Sequence, residues 1–173
     1  MKYICIDIET TGLDPVNNQI IEFCALINPG NYFHCYVYHE RYVCNAYAAA
    51  LNVEIFKKLS KRDSDYKYYS PCQMMFEFKN WLNIQNLLET KINFAGRNIG
   101  SFDIQFLNKI PGWNEIRHAH RYLDIGNLYV QPSDDIIPDL QECLNRADFT
   151  MNIKHTAYDD ALAVWNLMKY KGF

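Results

Sequence analysis

YICIDIETTGLD, residues 3–14, alternates apolar residues with two carboxylates, Asp7 and Glu9, set two positions apart. Its first half reads as a strand, and TTGLDP as the turn that closes it. Residues i and i+2 of a strand share a face, so Asp7 and Glu9 point together while Ile4, Ile6 and Ile8 point the other way. Two acids held side by side repel, and one tends to take up a proton unless a cation offsets the charge. Alone, D-x-E is a weak signal that reads first as a solvated strand end, so the rest of the chain must supply the context.

Working outward, residues 19–27 and 32–38 read as a hairpin around the turn NPGN. Two further strands are expected over 91–96 and 120–125. Helices are expected over 45–60, 71–89 with Pro71 at its start, 98–110, 137–147 and 155–171. Three strands followed by alternating helices and strands predict an α/β protein. Its mixed five-stranded sheet would have the antiparallel hairpin at one side and parallel strands beyond. With no linker, repeat or low-complexity segment, residues 1–173 are expected to form one domain.

Two further acids interrupt apolar stripes. Within the expected helix 98–110, Asp103 lies among Ile99, Phe106, Leu107 and Ile110, on the side that must pack on the sheet. In HTAYDDALAVW, Thr156 and Asp159 have capping-box spacing. Asp160 instead shares the inward stripe with Ala161, Val164 and Met168. Four acids from three separate elements suit a hard divalent cation such as Mg2+ or Mn2+, which prefers carboxylate oxygen. A pair of such ions roughly 3.5–4 Å apart clamps the attacking and leaving oxygens of a phosphoryl displacement. His155, beside the cap, is the candidate general base for water, the role that histidine side chains most often fill.

These residues resemble the DnaQ-like, RNase T-like 3′–5′ exonucleases, known as DEDDh. DIETTGLD (7–14) is similar to the first family motif, RNIGSFD (97–103) to the second and HTAYDDA (155–161) to the third. The resemblance implies an RNase H-like fold and two Mg2+ or Mn2+ ions held by Asp7, Glu9, Asp103 and Asp160, with His155 as base. It implies a terminal-nucleotide site around Thr10, Thr11 and Gly12, with Leu13 as a wedge and Asn98 and Phe102 contributing from the second motif. AYAAALN (46–52) is similar to a segment that walls the nucleotide pocket in some members. Arg97 departs from the histidine that many members carry there.

The implied activity is release of nucleoside 5′-monophosphates from the 3′ ends of single-stranded DNA or short RNA. A non-catalytic nucleic-acid-binding or protein-interaction module on the same fold is the alternative. The net charge of −3 argues against gripping long duplex through many phosphates and favours single strands or short oligonucleotides. The basic runs FKKLSKRDSDYK (56–67) and RHAHR (117–121) read as solvated surface, with substrate contact an equal reading for the first. Family resemblance leaves room for a homodimer, or for a polymerase or another replication or RNA-processing partner.

No stretch of 18 apolar residues predicts a membrane span. The start of the chain lacks a signal-peptide pattern, so a cytoplasmic protein is expected. The six cysteines lack metal-site spacing and read as small core residues. Asp124 is expected to cap a short helix, and Glu22 in the second strand carries no assigned role.

Overall fold

A computed structural model describes residues 3–173. Its centre is a mixed sheet of strands β1 (Tyr3–Thr10), β2 (Ile20–Asn28), β3 (Asn31–Val37), β4 (Tyr68–Tyr69), β5 (Asn93–Gly96) and β6 (Leu123–Asp124). The spatial order is β4-β3-β2-β1-β5-β6. β1, β2 and β3 pair antiparallel. β5 runs parallel to β1, β6 parallel to β5, and β4 parallel to β3. The expected five strands are present, shorter at 91–96 and 120–125, and the two-residue β4 makes six among the described residues. Two residues carry too little hydrophobic alternation to be read as a strand from sequence.

The alternation within β1 divides the core. Ile4, Ile6 and Ile8 face a layer containing Met74, Met75, Phe78 and Leu82 of helix α3 (Pro71–Ile84). Cys5, on the face that also carries Asp7 and Glu9, joins Cys24 and Leu26 against Val164, Leu167 and Met168 of helix α7 (Ala157–Tyr170). Cys5, Cys24, Cys35 and Cys143 are buried, as small core residues should be.

Several helices differ from their expected bounds, each for a local reason. The segment 45–60 splits into α1 (Ala46–Leu51) and α2 (Val53–Lys61) at Asn52. There the backbone, at φ −98° and ψ 23°, leaves the helical region, and the buried Asn52 side chain donates from Nδ2 to the Thr10 carbonyl at 3.0 Å. α3 begins with the expected Pro71, capped by Ser70 and Gln73, but stops before Asn86, whose φ of 55° leaves the helical region. The expected helix 98–110 is reduced to α4 (Asp103–Leu107), because Asn98 has φ 57° and residues 98–102 form turns.

α5 (Ile125–Tyr129) is capped by Asp124, as expected, through Gly126 N–H. α6 (Leu140–Arg146) starts only after Pro138, with Asp139 as its cap. α7 starts two residues after His155, with Thr156 as its cap. Among the described residues no helix is long and apolar enough to cross a membrane.

Candidate active site

β1 ends in an irregularity. Glu9 pairs with Glu22 on β2, but Thr10 pairs with Ile20, so one residue of β2 is skipped. The turn that follows is tied down on both sides. Thr10 Oγ1 donates to the Gly12 carbonyl at 2.7 Å. Thr11 is wholly buried, and its Oγ1 accepts from Gln19 N–H at 2.9 Å while its own N–H donates to the Gln19 carbonyl. Asn45 N–H donates to the Thr11 carbonyl and the Asn45 side chain caps α1, so the turn and α1 are fastened together.

At this end of β1 the structure brings carboxylate oxygens of Asp7, Glu9 and Asp160 within 4.8 Å of one another. The i, i+2 pair comes from β1, and Asp160 from the first turn of α7 packed over the same face. Asp103 opens α4, is 2% exposed, and lies outside this tightest group. Its charge still reaches Asp7 and Glu9.

Burial and mutual repulsion act on all of these acids. Burial first, then Asp103, Asp160, Glu9 and Glu22, drives the Asp7 carboxyl well above the usual range. Burial, then the charges of Asp160, Glu22 and Asp103, pushes Glu9 up to about 8. Asp103 is raised to about 8 by burial, partly opposed by its own backbone N–H and that of Ile8. Asp160 rises to about 7, by burial and then by Asp159 and Glu22. Asp160 Oδ1 is buried with no hydrogen-bond partner. A buried oxygen without a donor, inside a group of acids that repel one another, is a poor end state without a cation. The donor set is all hard oxygen, which fits Mg2+ or Mn2+ and not a soft metal.

A cavity of about 490 Å3 adjoins this group. Glu9 belongs to both. Thr10, Gly12, Leu13 and Phe102 line it from the first two motifs, and Tyr47, Ala48 and Leu51 from α1. Leu13 is 79% exposed and Tyr47 78%, an unusual display of apolar surface around one opening. Of the other residues singled out in the sequence, Asn98 is exposed at the turn before α4, where its side chain accepts from Ser101 Oγ. His155 is exposed on the turn leading into α7, with a φ of 52°.

Two residues shape the site beyond what sequence reasoning gave them: Asn52, named there only as the end of AYAAALN (46–52), and Glu22, given no role. Asn52 ties α1 to β1 and lines the cavity. Glu22, 1% exposed, sits opposite Glu9 and raises Asp7, Glu9 and Asp160 through its charge. The signal for Glu22 was its position inside the apolar run IIEFCALI (20–27), a buried acid of the same kind as Asp103.

The fold is that of known nucleases. Product-bound exonuclease I superposes with a TM-score of 0.66 at 12% identity, over 98% of this chain and 42% of that one. A second exonuclease I structure, discussed in terms of processivity, gives 0.71 at 14%, over 98% and 40%. E. coli exonuclease I in complex with a dT13 oligonucleotide gives 0.64 at 15%, over 97% and 40%. At these identities the likeness establishes the RNase H-like fold, and the chain spans only 40–42% of those proteins' length. A search of curated proteins gives no match. The RNase_T family model, described as an exonuclease, matches residues 4–168, which takes in all three motifs. The chain therefore belongs to the RNase T exonuclease family, the DnaQ-like exonucleases.

Proposed function

We propose that this protein is a metal-dependent 3′–5′ exonuclease releasing nucleoside 5′-monophosphates from single-stranded DNA or short RNA. The observation that carries this reading is the shared position of Glu9, at once a member of the acid group and a wall of the cavity. A scissile phosphate at the acids would leave its 3′-terminal nucleoside in that cavity.

Asp7, Glu9, Asp160 and, beside them, Asp103 are the residues that would hold Mg2+ or Mn2+. Bound there, two such ions supply Lewis-acid stabilisation of the attacking and leaving oxygens. The chain's own residues do the rest. Phe102, Tyr47 and Leu51 offer apolar surface to the base, a contact that tolerates any sequence. Leu13, exposed at the rim, wedges the terminal base from its neighbour, which an unpaired end permits most easily. The turn at Thr10, Thr11 and Gly12, fixed by its internal bonds, walls the place of the terminal sugar. His155, free of the helix, takes the proton from the attacking water at its imidazole nitrogen.

The structures of exonuclease I with oligonucleotides support single-stranded nucleic acid as the substrate class. A non-catalytic binding module would not require four acids at this density of charge. The deciding assay uses 3′- and 5′-labelled DNA and RNA from dinucleotides to 20-mers, with Mg2+, Mn2+ or EDTA. The expected result is metal-dependent loss of nucleotides from the 3′ end, with 5′-monophosphate products, abolished in Asp160→Asn. Binding without release, or release from the 5′ end, would overturn it.

A further inference from the structure

The first turn of α7 is anchored from across the sheet by a residue that the proposed chemistry does not use. Glu22 Oε2 accepts from the backbone N–H of Ala157 at 3.0 Å. Its other oxygen, Oε1, lies 2.7 Å from His34 Nε2 on β3. Ala157 is the first residue of α7, so its N–H is one of the four donors a helix leaves unsatisfied at its start. Thr156 satisfies a different one, that of Asp159. Glu22 is cross-strand from Glu9, and its side chain projects from the face on which Asp7 and Glu9 also stand. One carboxylate thus connects the strand pair carrying two of the acids to the helix carrying the third.

We infer that Glu22 is a positioning residue: held by His34, it sets the seating of α7 and so the placement of Asp160 and His155 against Asp7 and Glu9. Asp160 is three residues beyond Ala157 and His155 two before it, so both move with this bond. Groups that orient metal-binding side chains without touching the metal typically change affinity or rate about 10- to 100-fold when removed. The inference rests on the exonuclease reading for its activity test but not for its binding test.

The experiment compares Glu22→Leu, Glu22→Gln and Ala157→Pro in the full chain. Leucine removes the acceptor. Glutamine keeps a carbonyl oxygen for Ala157. Proline deletes the N–H while leaving every acid in place. Proline suits the first helical position, and Thr156 already has the extended backbone, φ −130° and ψ 138°, that must precede it. Phe78→Leu, in the opposite core layer, controls for general loss of stability.

Glu22→Leu and Ala157→Pro should each lower kcat about 10- to 100-fold. They should raise the Mn2+ concentration giving half-maximal rate by a similar factor, with oligonucleotide KM little changed. Glu22→Gln should retain near-normal kcat, and Phe78→Leu should lower Tm without changing kcat. Unchanged kcat and Mn2+ dependence in both Glu22→Leu and Ala157→Pro would overturn the inference, as would a loss in Glu22→Gln as large as in Glu22→Leu. Should Glu22→Leu fail to fold, Ala157→Pro against Glu22→Gln decides. If the unaltered protein releases no nucleotide, the exonuclease reading falls. The Mn2+-induced rise in Tm then judges Glu22, its loss in Ala157→Pro supporting the inference and its retention refuting it.

Discussion

Stripping divalent cations from this protein should make its stability fall as pH rises through neutrality, the reverse of ordinary acid denaturation. Glu9 and Asp103 are raised to about 8 and Asp160 to about 7, whereas such groups titrate near 4 in an unfolded chain. Between pH 5 and 7 the folded state therefore holds protons that the unfolded state has released. The unfolded state binds fewer protons, so stability declines with increasing pH, by about 1.4 kcal/mol per unit for each retained proton. Counting one proton for the whole group, the loss from pH 5 to 7 is about 3 kcal/mol. For a chain of this size that corresponds to a fall in Tm of about 6–12 °C.

Other titrations do not imitate this. Asp134, held down to about 2 mainly by its hydrogen bond with Arg146, acts only at lower pH. His39, lowered by burial, opposes the trend, since charging it on acidification costs stability. The assay is thermal melting in EDTA at pH 5, 6 and 7, repeated with Mn2+ and with Asp160→Asn. Metal should raise Tm most at pH 7, where protons compete least with it for the carboxylates. Metal-free Asp160→Asn should melt above the unaltered protein at pH 7, because one repelling charge is gone, and should show a shallower slope. A metal-free Tm that is flat or rising between pH 5 and 7, or no response to Mn2+ at pH 7, would refute the reasoning.

His155→Gln should lower kcat by about 10²- to 10⁴-fold with little change in KM, measured with saturating metal. Leu13→Ala should leave Tm unchanged within about 1 °C, because the side chain is 79% exposed, while raising KM for oligonucleotides several-fold. Gly12→Ala should cost both stability and activity, as seen in melts and steady-state rates. A Cβ there would strike Asn18 Oδ1 and Asn45 Nδ2, displacing side chains that hold Asp14, Val43 and α1.

Much of the site was legible in the sequence because its signals are local. Asp7 and Glu9 share a face by the two-residue period of a strand, and Thr156 announces the start of α7 by its own side chain. Asp103 was read correctly as inward-facing, but from a helix that is largely absent. It is buried because it opens a five-residue helix after a turn at Asn98, which no periodicity over 98–110 foretells. The break at Asn52 was likewise hidden. Nothing in NAYAAALNVEIFKKLS signals that the backbone turns at Asn52, whose side chain reaches the Thr10 carbonyl 42 residues away.

What the sequence by itself determined is the set of parts: an α/β chain with a leading hairpin, the inward acids Asp7, Glu9, Asp103 and Asp160, and three motifs in family order. Each follows from spacings of a few residues, which backbone geometry converts into a shared face or a cap. Only the tertiary structure decided how the acids divide, three within 4.8 Å and Asp103 beside them, and that Glu9 borders the cavity. It alone gave Glu22 its place, since the Ala157 N–H lies 135 residues away in the chain. Contacts at that separation depend on how sheet and helix pack, which no local pattern encodes.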